Sequence, residues 1–278
     1  VIHTKDAYGD VDILLLPFIK PSAEAAGTSE EAVAKALGKY WEKEAAEKTR
    51  LPAGQNRQDT KRRILVTHFF VTDAGKEPLL SDSETTIHVG GIDNVDASVF
   101  DGMDYVALGH IHRPQKIGKE QYRYCGTPLK YSVSEEHQAK SITCVELKEK
   151  GTEPVITQIG LEPLRELRSL RGTLSEVLSL ATEENKDDFL SITLTDEIDP
   201  YQPKERLMEV YSHILEVRVD NARTRRILSE EVEELKLEDP VEVFAQFFEN
   251  MQARPMSEAE KRVMTEIFAK AAEGEVNG

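Results

Sequence analysis

Short apolar runs, each cut off by Gly, Pro or His, set the rhythm of the first 160 residues. Residues 11–19, Val-Asp-Ile-Leu-Leu-Leu-Pro-Phe-Ile, read as a buried strand stopped by Pro17 and Pro21. Thr28-x-x-Glu31 forms a capping box that opens a helix to about Lys48, with Val33, Leu37, Tyr40 and Trp41 on its inner face. A polar loop over 52–60 leads to a second strand, Arg63-Ile-Leu-Val-Thr-His68. Residues 71–85 are rich in turn formers and lack any period, which predicts a long loop. A short strand over 86–89 follows, halted by Gly90-Gly91, with His88 on its solvated face. Val106-Ala107-Leu108 is another buried strand, ended by Gly109. Tyr122-Arg-Tyr-Cys125 then runs into the sharp turn Gly126-Thr127-Pro128, and residues 141–147 and 154–159 alternate as a hairpin about Lys150-Gly151.

Near Gly160 the texture changes. Residues 164–170 read as a strand, Thr173-x-x-Glu176 caps a helix, and 189–194 is a strand. A helix over 203–215 and a final strand over 216–219 complete a small α/β unit, with His213 off the helix's apolar stripe and on the surface. From Ser229 the chain is acidic and helical. Pro240 opens one helix bearing Val243, Phe244, Phe247 and Phe248, and Ser257-x-x-Glu260 opens another bearing Val263, Ile267 and Phe268. Three of the nine phenylalanines fall between Phe244 and Phe248. Such helices either pack back on the body or offer an amphipathic face to a partner helix.

The chemistry concentrates at Gly109-His110-Ile111-His112-Arg113-Pro114. On extended backbone, side chains two apart share a side, so His110 and His112 would face one point while Ile111 packs the other way. His68 also ends a strand, and ligands of α/β sheets gather beyond the carboxyl ends of strands. Imidazole with carboxylate suits manganese, iron or zinc in a hydrolase, where the metal lowers the pKa of bound water from 15.7 to about 7. An exposed turn with two solvated histidines competes with this reading.

Composition narrows the classes. The length of 278 residues suggests about two domains. No apolar run approaches the roughly 20 residues needed to cross a bilayer. A net charge of −16 excludes a protein that simply coats nucleic acid, though not a metal-assisted DNA enzyme. Cys125 and Cys144 lack CxxC partners and read as small buried hydrophobes of a reducing compartment. Lys61-Arg62-Arg63 and Arg223-Thr-Arg225-Arg226 read as solvated surface, and Arg113, beside the histidines, is the better DNA contact.

Val66-Thr67-His68, Asp104-Tyr-Val-Ala-Leu-Gly-His110-Ile-His112-Arg113-Pro114-Gln115 and Tyr124-Cys-Gly-Thr-Pro128 together resemble the SbcD nuclease subunits, a family of calcineurin-like metallophosphoesterases related to double-strand-break repair nucleases. The family turn usually reads Gly-Ser-Pro, so Thr127 departs but keeps a hydroxyl. The resemblance implies an α/β fold: the C-terminal part of a metallophosphoesterase β-sandwich with flanking helices over 1–159, an α/β capping domain over 160–222 that helps hold DNA, and a linker and helices over 223–278. It implies two manganese ions, with His68 and His110 on one and His112 on the other. It further implies a partner, the coiled-coil ABC-type ATPase SbcC, a homodimer within a heterotetramer, and a cytoplasmic, nucleoid-associated setting. The reactions expected are exonuclease action on double-stranded DNA ends and endonuclease action at hairpins.

The family's first three motifs, Asp-x-His, Gly-Asp-x-x-Asp and Gly-Asn-His, are absent; Gly9-Asp10-Val11-Asp12-Ile13 fails at position 13. The chain is therefore expected to be the carboxyl-terminal two-thirds of such a subunit, without nuclease activity alone. Two other readings compete: a non-catalytic adaptor for DNA capping and ATPase docking, and a phosphoesterase of small phosphodiesters.

Overall fold

A computed structural model describes residues 1–49, 59–84, 94–226, 240–252 and 254–275. The expected strand over 86–89 with His88, most of the 52–60 loop, and residues 229–239 lie outside them. The fold is mixed α/β.

Its main sheet has six strands: β1 (Ile2–Asp6), β2 (Gly9–Leu16), β3 (Arg62–His68), β6 (Tyr105–Gly109), β7 (Gln115–Ile117) and β8 (Lys119–Tyr124). They lie in the order β1-β2-β3-β6-β8-β7. β2, β3, β6 and β8 are mutually parallel, and β1 and β7 close the edges antiparallel. Helix α1 (Ser29–Thr49) lies between β2 and β3 in the chain, as its apolar period requires. Thr28 Oγ1 accepts from the Glu31 amide at 3.2 Å, while the Glu31 carboxylate reaches past Thr28 to the Gly27 amide. Val33, Leu37 and Tyr40 are buried and Trp41 packs against the same core.

Register explains which side of the sheet is core. Leu14 pairs with Leu65, Leu65 with Val106, and Val106 with Tyr122, a row buried across four strands. The row one residue on points the other way. It reads Leu15, Val66, Ala107, Arg123, with Leu15 56% and Val66 41% exposed. Parallel strands ordinarily carry apolar residues on both faces because both are covered. Here the second face is covered at Arg62 and Tyr105, 1% and 6% exposed, and open at Leu15 and Val66.

Residues 71–85 are not simply loop. β4 (Phe70–Thr72) pairs in parallel with β5 (Asn94–Asp96), and a short 3-10 turn spans Asp82–Glu84. The three residues of β4 are too few to show a period. The hairpin appears as β9 (Ser141–Glu146) and β10 (Val155–Gly160).

The amino ends of β2 and β3 overturn the solvated reading of Lys61-Arg62-Arg63. Arg62 and Arg63 are 1% and 2% exposed. Arg63 binds Glu44 at 3.0 Å and Asp59 at 2.9 Å and donates to the Tyr40 hydroxyl, which in turn donates to buried Asp12 at 2.8 Å. Lys61 spans Glu44 and Asp12, and Arg62 pairs with Asp6. Adjacent residues of β3 point to opposite faces, so Arg62 and Arg63 are buried on opposite sides of the sheet, each against its own anions. Cys125 and Cys144 are exposed rather than buried, so the small-hydrophobe reading fails for both.

Three further strands, β11 (Leu167–Gly172), β12 (Phe189–Leu194) and β13 (His213–Val219), form their own sheet in that order. Helix α2 (Leu174–Ser179) has the full capping box expected of Thr173 and Glu176. Helix α3 (Pro203–Met208) is shorter than expected, and β13 begins at His213. The β-branched and large residues of 213–219 extend as strand where the apolar helical stripe is expected to run on. His213 accordingly sits on a strand, its ring 5.1 Å from that of Phe189.

The chain divides into two compact units. One holds Val1–Leu170, Thr182–Ser191 and Val210–Glu216; the other holds Arg171–Ala181, Ile192–Glu209 and Val217–Gly278. In the second, helix α4 (Pro240–Gln252) and helix α5 (Glu258–Glu275) meet through Phe244 and Phe268, whose rings stand 6.3 Å apart. Ser257 and Glu260 cap α5 reciprocally, and Glu260 also pairs with Arg254 at 2.8 Å. Val243, Phe247, Met251, Val263 and Ile267 are exposed.

Candidate metal centre

The parallel register of β3 and β6 sets His68 directly opposite Gly109. His68 is exposed and continues the open Val66 row, and its ring covers Gly109 so closely that a β-carbon there would lie 2.7 Å from Nδ1. Glycine at 109 is thus a steric requirement of the histidine across the strand. Below the site, the buried Tyr124 hydroxyl donates to the Phe69 carbonyl and accepts from the Val71 amide, both at 2.8 Å. That clamp fixes the chain leaving His68.

The strand ends at Gly109, and His110 turns with φ of 106°. A non-glycine residue held there is strained by about 1–3 kcal/mol, and such strain gathers at functional sites. The turn places the His110 ring edge-to-face with His68, centroids 5.4 Å apart, and 6.3 Å from Phe70. The premise of extended backbone from His110 to His112 does not hold. Ile111 nevertheless packs inward, at 2% exposure.

His112 lies in a different setting. Its Nδ1 is 3.0 Å from Glu135 Oε1 and 3.0 Å from Ser83 Oγ, and its ring is 5.6 Å from that of Tyr131. Its amide donates to Glu84. Burial alone would raise the Glu135 carboxyl, but hydrogen bonds from Lys140, His112 and Ser83 hold it down at about 2. Glu135 and Lys140 follow the Gly-Thr-Pro turn and Ser83 and Glu84 lie in the 71–85 stretch, and none carries a sequence signal, so sequence reasoning passes over them. Arg113 is exposed and lines an open cleft with His137, Gln138 and Gln158.

The structure therefore brings His68 and His110 together and seats His112 on a buried carboxylate. In kind the donors suit a borderline divalent metal: imidazoles, with a glycine cradle that keeps His68 in place. In number they are incomplete, because among the described residues no three His, Cys, Asp or Glu side chains converge on one point.

Residues 163–252 match the family described as the Type 5 capsule protein repressor C-terminal domain, SbcD_C. The matched range runs through β11–β13 and into α4. Over 201 residues the chain is 29% identical to the SbcD subunit of nuclease SbcCD from Staphylococcus epidermidis (strain ATCC 12228 / FDA PCI 1200), covering 71% of this chain. The chain spans about half the length, 51%, of that curated SbcD relative. Among the described residues, no helix is long and apolar enough to cross a membrane.

Proposed function

We propose that this chain belongs to the nuclease subunit of an SbcCD-type complex and supplies part of a centre that hydrolyses DNA phosphodiesters. The observation that supports this most is the His68–His110 pair at the carboxyl ends of β3 and β6, in a chain similar to the staphylococcal SbcCD nuclease subunit. His68 and His110 are read as ligands of one divalent ion and His112 of a second, both manganese. Bound metal would supply a hydroxide near neutral pH and neutralise phosphate charge.

What the chain's own residues contribute is placement. β3 and Gly109 hold His68, the left-handed turn directs His110, and Glu135 holds His112. Arg113, exposed beside them, is read as a contact to the DNA backbone. Residues 160–222 are read as the DNA-capping region. The exposed apolar residues of α4 and α5, over 223–278, are read as the docking face for the SbcC ATPase, in a homodimer within a heterotetramer. Double-stranded DNA ends and hairpins are the proposed substrates, in a cytoplasmic, nucleoid-associated setting.

The incomplete donor set favours a second reading, a non-catalytic adaptor that carries capping and docking alone. Cleavage of hairpin DNA and of bis-p-nitrophenyl phosphate, with and without manganese, separates the readings. The chain alone is expected to cleave neither. With the portion of SbcD outside the matched range supplied in trans, manganese-dependent cleavage of hairpin DNA is expected. An inert mixture would establish the adaptor, and cleavage of the small ester alone would establish a phosphoesterase of small substrates.

A further inference from the structure

Glu135 is fully buried and Lys140 is 6% exposed, and their charges meet at 2.6 Å. A buried ion pair is a poor source of stability, since desolvation consumes most of what attraction returns. What this pair touches is therefore informative. Lys140 Nζ also donates to the His112 carbonyl at 3.0 Å and to Thr127 Oγ1 at 3.0 Å. The Thr127 amide donates to the same His112 carbonyl at 3.1 Å. On the other side of the pair, Glu135 Oε1 faces His112 Nδ1, with the Ser83 hydroxyl 3.0 Å from each. One ion pair thus holds both the main chain and the ring of a single histidine. The hydroxyl of Thr127 is the atom that ties the Gly-Thr-Pro turn into it.

The hydrogen-bond inventory then fixes the proton. An ionised carboxylate only accepts, and a lysine ammonium only donates. Glu135 Oε2 is engaged by Lys140, and Oε1 accepts from the Ser81, Ser83 and Ser132 hydroxyls at 3.3, 3.0 and 3.3 Å; a bare Nδ1 lone pair facing that anionic oxygen at 3.0 Å would be repelled, which leaves Nδ1 to donate. A neutral imidazole that carries its proton on Nδ1 presents a bare lone pair on Nε2. We propose that the Glu135–Lys140 pair is the positioning device of His112, holding the ring as the Nδ1–H tautomer with the Nε2 lone pair turned outward. The tautomer stands independently of the metal; only the identity of what Nε2 meets rests on the function proposed above.

Long-range 1H–15N correlation of histidine-labelled full chain at pH 8.5 reads the tautomer directly. Wild type is expected to show His112 protonated on Nδ1. Glu135→Gln, whose amide both donates and accepts, is expected to give mixed tautomers. Ser83→Ala, at the surface, is expected to leave Nδ1–H in place. A wild-type ring protonated on Nε2, or a tautomer that switches in Ser83→Ala, would overturn the proposal even if Glu135→Gln fails to fold. Manganese alone is the second probe. Broadening of His112 with an affinity about 10- to 100-fold weaker in Glu135→Gln is expected of a carboxylate that orients a ligand. Nδ1–H in wild type without any broadening would uphold the positioning role and remove the metal reading instead.

Discussion

His68 Nδ1 lies 2.7 Å from where a β-carbon on residue 109 would stand. Gly109→Ala must therefore push the ring off its seat, since the clashing atom is part of a rigid imidazole rather than the end of a flexible chain. Because the His68 ring is exposed and can rotate, the cost is expected at or below the low end of the about 1–3 kcal/mol of an overpacked core. Chemical denaturation is expected to show that loss together with changed ring shifts for both His68 and His110. Unchanged shifts would mean that the ring does not rest on the glycine.

His110 at φ 106° makes the opposite prediction. Glycine adopts that conformation without a β-carbon penalty. His110→Gly is expected to be more stable than His110→Ala by about 1 kcal/mol in denaturant titrations. A less stable glycine variant would place the strain elsewhere.

The buried Arg63–Glu44 pair should behave as a unit. Removing Arg63 leaves Glu44 with Lys61, and removing Glu44 leaves Arg63 with Asp59, so each single loss should fall short of the about 3–5 kcal/mol of a buried charge left wholly unpaired. Arg63→Met and Glu44→Leu are each expected to destabilise by less than that. The double variant is expected to be more stable than either single one, and additive losses in a thermodynamic cycle would argue against the pairing.

The same network predicts a pH profile. Burial opposes ionisation of Asp12 and Glu44, yet bonds from His3, Tyr40 and Lys61 to Asp12, and from Lys61 and Arg63 to Glu44, hold both carboxyls below their usual values of 3.8 and 4.5. Depressed carboxyls stabilise the fold fully above the unfolded values and lose that contribution as pH falls through the folded ones. Stability is expected to be level from pH 7 to about 5 and to fall steeply below 4.5. Glu44→Gln should flatten that fall, which urea titrations at stepped pH would measure.

In the carboxyl-terminal helices, Phe244 and Phe247 separate packing from contact. Phe244 faces Phe268, whereas Phe247 is 57% exposed. Phe244→Ala is expected to lower helix content by circular dichroism. Phe247→Ala should change stability by no more than about 0.5 kcal/mol. If these helices dock the ATPase, Phe247→Ala alone should weaken its capture.

Elements with a strong period are legible in the sequence. The α1 stripe, the β3 and β6 runs and the Thr173 and Ser257 caps need only local information, and the structure keeps each. β4 is too short to show a pattern, and the 203–215 stripe reads as one helix because strand and helix share Leu, Val and Ile. Arg62 and Arg63 mislead because charge suggests surface, whereas register and distant anions decide burial. The site is half legible. Histidines at strand ends announce themselves, but Glu135 reaches His112 across 23 residues through a fold that no spacing rule encodes.

Leu15 and Val66 remain as an uncovered greasy strip on a polyanion of net charge −16. Mutual repulsion between such polyanions opposes contact through the strip. That repulsion reaches about 10 Å in 0.1 M salt and only 3 Å in 1 M. Concentrated salt is therefore expected to favour association through this strip, which turbidity in sulfate would reveal.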